Sequence, residues 1–183
     1  MANEKRIHPV GGGDPGGLCD ARATPGPRSL RPKAHHPDPA LALEAYPNTG
    51  AFLQCVPFAR TVSGLDLRGD AWTWWDKAAN HYPRGHQPKI GSVLVFRQTS
   101  KLRRGHVCVV AEIAGPREIL VTHANWGHEG DTRGVIHERQ PAIDVSPDND
   151  WSEVRLMNRI GTYGHVYPTY GFIHQPSAPE RKE

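Results

Sequence analysis

Three stretches decide the fold: Ser92-Val93-Leu94-Val95-Phe96, then His106-Val107-Cys108-Val109-Val110-Ala111-Glu112-Ile113, then Ile119-Leu120-Val121-Thr122-His123. Each is rich in β-branched residues, and turn signals such as Gly115-Pro116 separate them, so they read as consecutive strands. Asn158 to Ile173, around Tyr163-Gly164 and Pro168, reads as one or two more strands. Upstream the period changes. Pro47-Asn48-Thr49-Gly50 is a turn that offers Asn48 or Thr49 as a helix cap. Ala51 to Ser63 follows with Phe52, Cys55, Val56, Ala59 and Val62 at helical spacing, closed by Gly64. Ala71 to Asn80 is a second expected helix, with Trp72 and Trp75 on its core face and Trp74 the more exposed. Helices first and strands after predict an α+β domain, with N-terminal helices packed on an antiparallel β-sheet rather than βαβ units.

The 183 residues suit one folded domain with a sizeable core. Residues 1–39 hold six Gly and seven Pro and no aromatic residue, which predicts a disordered arm. His8, Cys19, His35 and His36 in that arm are expected to be solvated, because a disordered segment cannot pre-orient ligands. Residues 40–174 are the expected catalytic domain and 175–183 a flexible tail. The formal charge is +3, and the arm, with six basic and four acidic residues, accounts for most of it. The domain itself is nearly neutral, which argues against nucleic acid as the partner. No apolar run is long enough for a transmembrane helix. Three cysteines without a CxxC pair indicate neither a zinc site nor a disulfide framework. No metal and no cofactor are expected.

The chemistry gathers around Cys55, His106 and the end of the third strand. A cysteine at a helix start sits among unpaired N–H groups, whose partial positive charge lowers the thiol pKa. His106 heads an apolar strand behind Gly105, and by alternation it shares a face with Cys108 and Val110. Asn125 ends the next strand, so an antiparallel hairpin brings it near His106. A thiol, an imidazole that exchanges protons with it and an amide that orients the ring are the parts of a cysteine hydrolase. Cys108 reads as a small core residue.

Leu53-Gln54-Cys55-Val56-Pro57-Phe58-Ala59-Arg60 resembles the Gln-Cys helix of CHAP domains, the cysteine, histidine-dependent amidohydrolase/peptidase family. The similarity continues through Gly69-Asp70-Ala71-Trp72-Thr73-Trp74-Trp75, Pro88-Lys89-Ile90-Gly91-Ser92-Val93-Leu94-Val95-Phe96, Gly105-His106-Val107-Cys108-Val109-Val110 and Asn125-Trp126. It implies a papain-like NlpC/P60 fold, Cys55 as nucleophile, His106 as base and Asn125 as the third polar residue. Many family members carry Glu-x-Asn where this chain has His123-Ala124-Asn125, so His123 is the second candidate for orienting the ring. Gln54 is a candidate oxyanion donor, and Trp126 and Trp74 are candidate substrate walls. Glu44 to Gly50 contains no Asp, so the calcium loop of some relatives is not expected.

The resemblance implies hydrolysis of an amide bond in bacterial cell-wall peptidoglycan through a Cys55 thioester. A non-catalytic wall- or partner-binding module and an amidase acting on a small cytoplasmic amide are the alternatives. A wall substrate places the protein in the cell envelope, periplasmic or secreted. The first residues, Met-Ala-Asn-Glu-Lys-Arg, lack the apolar segment of a signal peptide, which leaves the cytoplasm open.

Overall fold

The computed structural model describes residues 52–127 and 132–176. The expected arm 1–39, the cap candidates Asn48 and Thr49, and residues 177–183 of the expected tail lie outside the described residues.

Helix α1 (Cys55–Ser63) begins four residues later than the spacing predicts. Gly64 ends it with φ 71° and an N–H that bonds to the Arg60 carbonyl, the left-handed stop that glycine adopts without steric cost. Pro57 falls in the first turn, where its missing N–H costs no hydrogen bond. A 3-10 turn (Ala71–Thr73) runs into the short helix α2 (Trp74–Ala78). Among the described residues seven strands follow: β1 (Arg84–Gly85), β2 (Val93–Phe96), β3 (His106–Gly115), β4 (Glu118–Ala124), β5 (Ile136–Asp144), β6 (Glu153–Leu156) and β7 (Tyr167–Ile173).

The predicted α+β architecture, a papain-like NlpC/P60 fold with N-terminal helices packed on an antiparallel β-sheet, is corrected here. Every strand pairing is antiparallel, and β2, β3, β4, β5, β6 and β7 form a closed six-stranded barrel. The closing strand is β7, which pairs with β2 through Val93–Ile173 and Leu94–Phe172 and with β6 through Val154–Tyr167. The tiny β1 adds to the C-terminal end of β7. Two physical reasons explain the difference. The strands β5 and β6 carry the sheet past β4 until its edges meet, and the two α-helices among the described residues, nine and five residues long, are too short to form a layer.

The barrel wall separates two apolar clusters by strand alternation. Outside, Val93, Val95, Val107 and Val109 pack against Phe58, Ala59 and Val62 of α1 and Trp74 of α2. Inside, Leu94, Phe96, Cys108 and Val110 meet Ile119, Val121, Trp151, Val154, Leu156 and Phe172. Full burial of a side chain such as Phe58 contributes about 1.5–3 kcal/mol, so α1 is fastened to the wall by a few residues. Trp74 is fully buried in the outer cluster, whereas Trp72 and Trp75 are only half-buried. The 3-10 turn shifts the helical phase by a fraction of a turn, and that puts Trp74 inward. The expectation of Trp74 as an exposed substrate wall is therefore corrected as well.

Candidate active site

An open cleft of about 1090 Å3 is lined by Gln54, Cys55, His106, Asn125, Trp126 and Gln140, among others. Cys55 is the first residue of α1, and His106 is the first residue of β3. Gly105 holds the chain just before His106 with φ 65°, and a Cβ there would press into the backbone nitrogen of Trp72 at 2.7 Å. Only glycine allows the loop to pass so close to the 3-10 turn while turning His106 into the barrel.

His106 is buried, and its ring is part of an ordered set. Its Nε2 lies 2.7 Å from Nδ1 of His123, and Nε2 of His123 lies 2.6 Å from Oε1 of Gln140. The Gln140 amide nitrogen donates to the Met157 carbonyl at 2.5 Å. Trp126 covers the pair, with ring centroids 4.7 Å from His106 and 5.7 Å from His123. Tyr167 and Phe96 hold Trp126 from behind. Trp126 is thus a half-buried wall of the cleft.

Asn125 does something other than orient His106. The β3–β4 ladder pairs Val109 with Thr122, and its continuation would set Asn125 opposite His106. Instead Asn125 leaves the strand with φ 61°. Its Nδ2 donates to Oε1 of Gln54 at 3.0 Å, and its Oδ1 accepts from the Gly134 N–H at 3.0 Å. The Leu53 N–H in turn donates to the Gly134 carbonyl. Asn125 therefore ties the turn that carries Cys55 to the end of β4. The ring that reaches His106 belongs to His123, and Gln140 behind it is a residue that sequence reading missed.

Burial sets the proton affinities. It pushes the Cys55 thiol up, against the opposing pull of the backbone N–H groups of Val107, Val56 and Cys55 itself. The expected lowered thiol pKa is reversed, because desolvation of the thiolate outweighs the helix start. Burial, then the neighbouring His123 and His137, hold His106 well below the usual histidine range. His123 is pushed down to about 3, chiefly by burial. Burial thus favours the neutral thiol at Cys55 and the neutral ring at His106 and His123. No hydrogen bond joins Cys55 to His106 among the described residues, and pairs of this kind commonly tighten only around a substrate.

His106, Cys108 and His123 bring two nitrogens and one sulfur within 4.8 Å of one another. As placed, the two nitrogens are 2.7 Å apart in a hydrogen bond. Two imidazole ligands of one tetrahedral zinc stand roughly 3.3 Å apart, at zinc–nitrogen distances of about 2.0–2.1 Å. The geometry is that of a hydrogen-bonded pair, and Cys108 packs in the barrel interior.

Residues 45–125 match the family model described as the CHAP domain. Those residues are similar to a CHAP domain. CHAP domains are typically hydrolases, amidases and peptidases, and the match includes Cys55, His106 and His123. A comparison with curated proteins finds no match. The CHAP match ends at Asn125, so Trp126, Gln140 and the three closing strands lie beyond it.

Proposed function

We propose that this CHAP-like domain is a cysteine amidohydrolase or peptidase that cleaves an amide bond in bacterial peptidoglycan. The observation that carries the reading is that Cys55, at the start of α1, and His106, at the start of β3, line one open cleft. The neutral thiol gives its proton to the neutral His106 ring, and the thiolate attacks the amide carbonyl. Backbone N–H groups at the start of α1 stabilise the tetrahedral oxyanion, joined by the Gln54 amide, whose oxygen is already held by Asn125. His106 passes the proton to the leaving amine as the C–N bond breaks and a Cys55 thioester remains. Water then loses a proton to His106, attacks the thioester and releases the carboxylic acid and the thiol.

The charge of the cleft supports a peptidoglycan stem peptide, which carries carboxylates. Lys101, Arg103, Arg104, Arg133 and Arg159 line it against a single carboxylate, Asp70, among the described residues. A nearly neutral domain has gathered its cations where an acidic peptide would lie. Action on the wall implies a place in the cell envelope.

Incubation of the purified protein with peptidoglycan sacculi, followed by mass spectrometry of the released fragments, tests the reading and identifies the bond. Soluble fragments are expected from the wild type and not from Cys55→Ala. Intact sacculi, with wild-type protein that binds them, would favour a binding module.

A further inference from the structure

Gln140 touches neither Cys55 nor the reacting carbonyl, yet it sits at the far end of the ring pair. We propose that Gln140 is a positioning residue that sets the proton arrangement of His123 and His106, leaving Nδ1 of His106 as the nitrogen that receives the Cys55 proton. Its use of His106 as a base rests on the function proposed above.

The argument runs inward from Met157. A backbone carbonyl only accepts, so the group 2.5 Å from it on Gln140 must be the amide NH2. The Gln140 oxygen is then turned to His123, and an amide oxygen also only accepts. Nε2 of His123, 2.6 Å away, must therefore carry hydrogen. A neutral imidazole has one N–H, so Nδ1 of His123 presents a lone pair. His106 Nε2, 2.7 Å from that lone pair, must donate to it. A neutral His106 is left with a bare Nδ1. Each group donates to the next, and every bond in the chain points toward Met157.

Without Gln140, the two rings have two proton arrangements of similar energy, because the hydrogen between them can sit on either. In the wrong arrangement His123 carries its hydrogen on Nδ1, and His106 then carries its own on Nδ1. That ring cannot accept the thiol proton there. The fold supports the anchor from both sides. Arg139 takes φ 47° where the β4–β5 register slips between Val121 and His123, and Gln140 pairs with Val121 just beyond. The Met157 N–H bonds to the Pro141 carbonyl at 2.9 Å, which fixes the carbonyl that Gln140 needs.

The test is NMR of the full-length protein with 15N-labelled histidine, where two-bond nitrogen–proton correlations report which ring nitrogen is protonated. At pH about 7, near the usual operating range of such groups, His106 and His123 are both expected in the Nε2–H form. Gln140→Leu removes both ends of the anchor at similar volume. It should show both tautomers at His106 and lose about tenfold to a hundredfold in kcat, as second-sphere deletions do, with KM little changed. Wild-type His106 protonated on Nδ1 would overturn the proposal. So would a folded Gln140→Leu with wild-type tautomers and turnover. If Gln140→Leu does not fold, the wild-type tautomers alone decide. Tautomers are read without turnover, so failure of wild-type protein to cleave sacculi would sink the function above and leave this result standing.

Discussion

Residues 52–125 and residues 132–176 divide the labour of the cleft. The first segment, inside the family match, supplies Cys55, His106 and His123 on α1, β3 and β4. The second lies outside the match, closes the barrel with β5, β6 and β7, and supplies Gln140 and the Met157 carbonyl. Cys55 and His106 stand on α1 and β3, with α2, β1 and β2 between them in the chain, whereas His106, His123 and Gln140 stand on the consecutive strands β3, β4 and β5. The difference teaches that the proposed pair can lie wholly inside the matched segment while the groups its rings bond to extend past it, to Gln140 and the Met157 carbonyl.

The largest effect should come from the first segment. Cys55→Ala removes the nucleophile and should abolish hydrolysis while leaving the fold intact, since a half-buried thiol contributes little packing; turnover and circular dichroism check both. His106→Ala should be about as damaging, and the double variant no worse than either, because groups that act as one unit do not add. Cys108→Ala should keep its activity. A dead Cys108→Ala beside an active Cys55→Ala would move the nucleophile into the barrel interior.

Next comes stability in the second segment. Trp151 is buried inside the barrel against Phe172 of β7. Trp151→Ala should cost about 3–5 kcal/mol in chemical denaturation, the usual range for truncating a buried aromatic. If the loss were only a few tenths, β6 and β7 would not be fastened as the barrel requires.

A smaller effect separates the two candidates for the third residue. His123→Ala should lower kcat by about tenfold to a hundredfold, the cost of losing an orienting partner. Asn125→Ala should cost less, since its bonds hold Gln54 and Gly134 rather than His106. The reverse order in matched assays would return the role to Asn125.

A last effect concerns pH dependence. His106 and His123 are held below the usual histidine pKa in the folded state, His123 to about 3, so the unfolded chain binds more protons below about pH 6.5. Stability should be full above that pH and fall as pH drops, by up to about 1.4 kcal/mol per pH unit for each ring. Melting temperatures between about pH 7 and about pH 5 should show the slope, and His123→Gln should make it shallower. A flat profile in the wild type would mean that these rings are not buried neutral.

Much of the first segment was legible in the sequence because its periods are clean. The strands β2, β3 and β4 and the α1 stop at Gly64 fall close to where alternation and glycine place them. The strands β5 and β6 were not legible. Pro141 stands inside β5, a place where proline usually argues against a strand, and Ile136-His137-Glu138-Arg139-Gln140 has no apolar alternation. Missing them left the sheet open. It also hid Gln140, which shares parity with the interior Ala142 and could have been placed once β5 was seen. Asn125 was misread for a different reason: the register argument was sound up to Ala124, but the positive φ that turns the side chain away leaves no strong mark on an Asn. Trp74 was misplaced because a 3-10 turn breaks helical phase without any residue announcing it.

Closure by β7 also has a consequence for how the chain is made. All four residues of β2 are buried, and Val93 finds its β7 partner only at Ile173. Synthesis from the N-terminus therefore delivers Val93-Leu94-Val95-Phe96 long before the strand that covers one of its edges. For that interval the nascent sheet presents a bare apolar edge, the kind that joins other chains as readily as its own. Pairing so distant in sequence also slows folding. A ribosome-bound chain that stops short of Ile173 would already hold the thiol and both imidazoles, and would still lack the strand that shuts the wall around them.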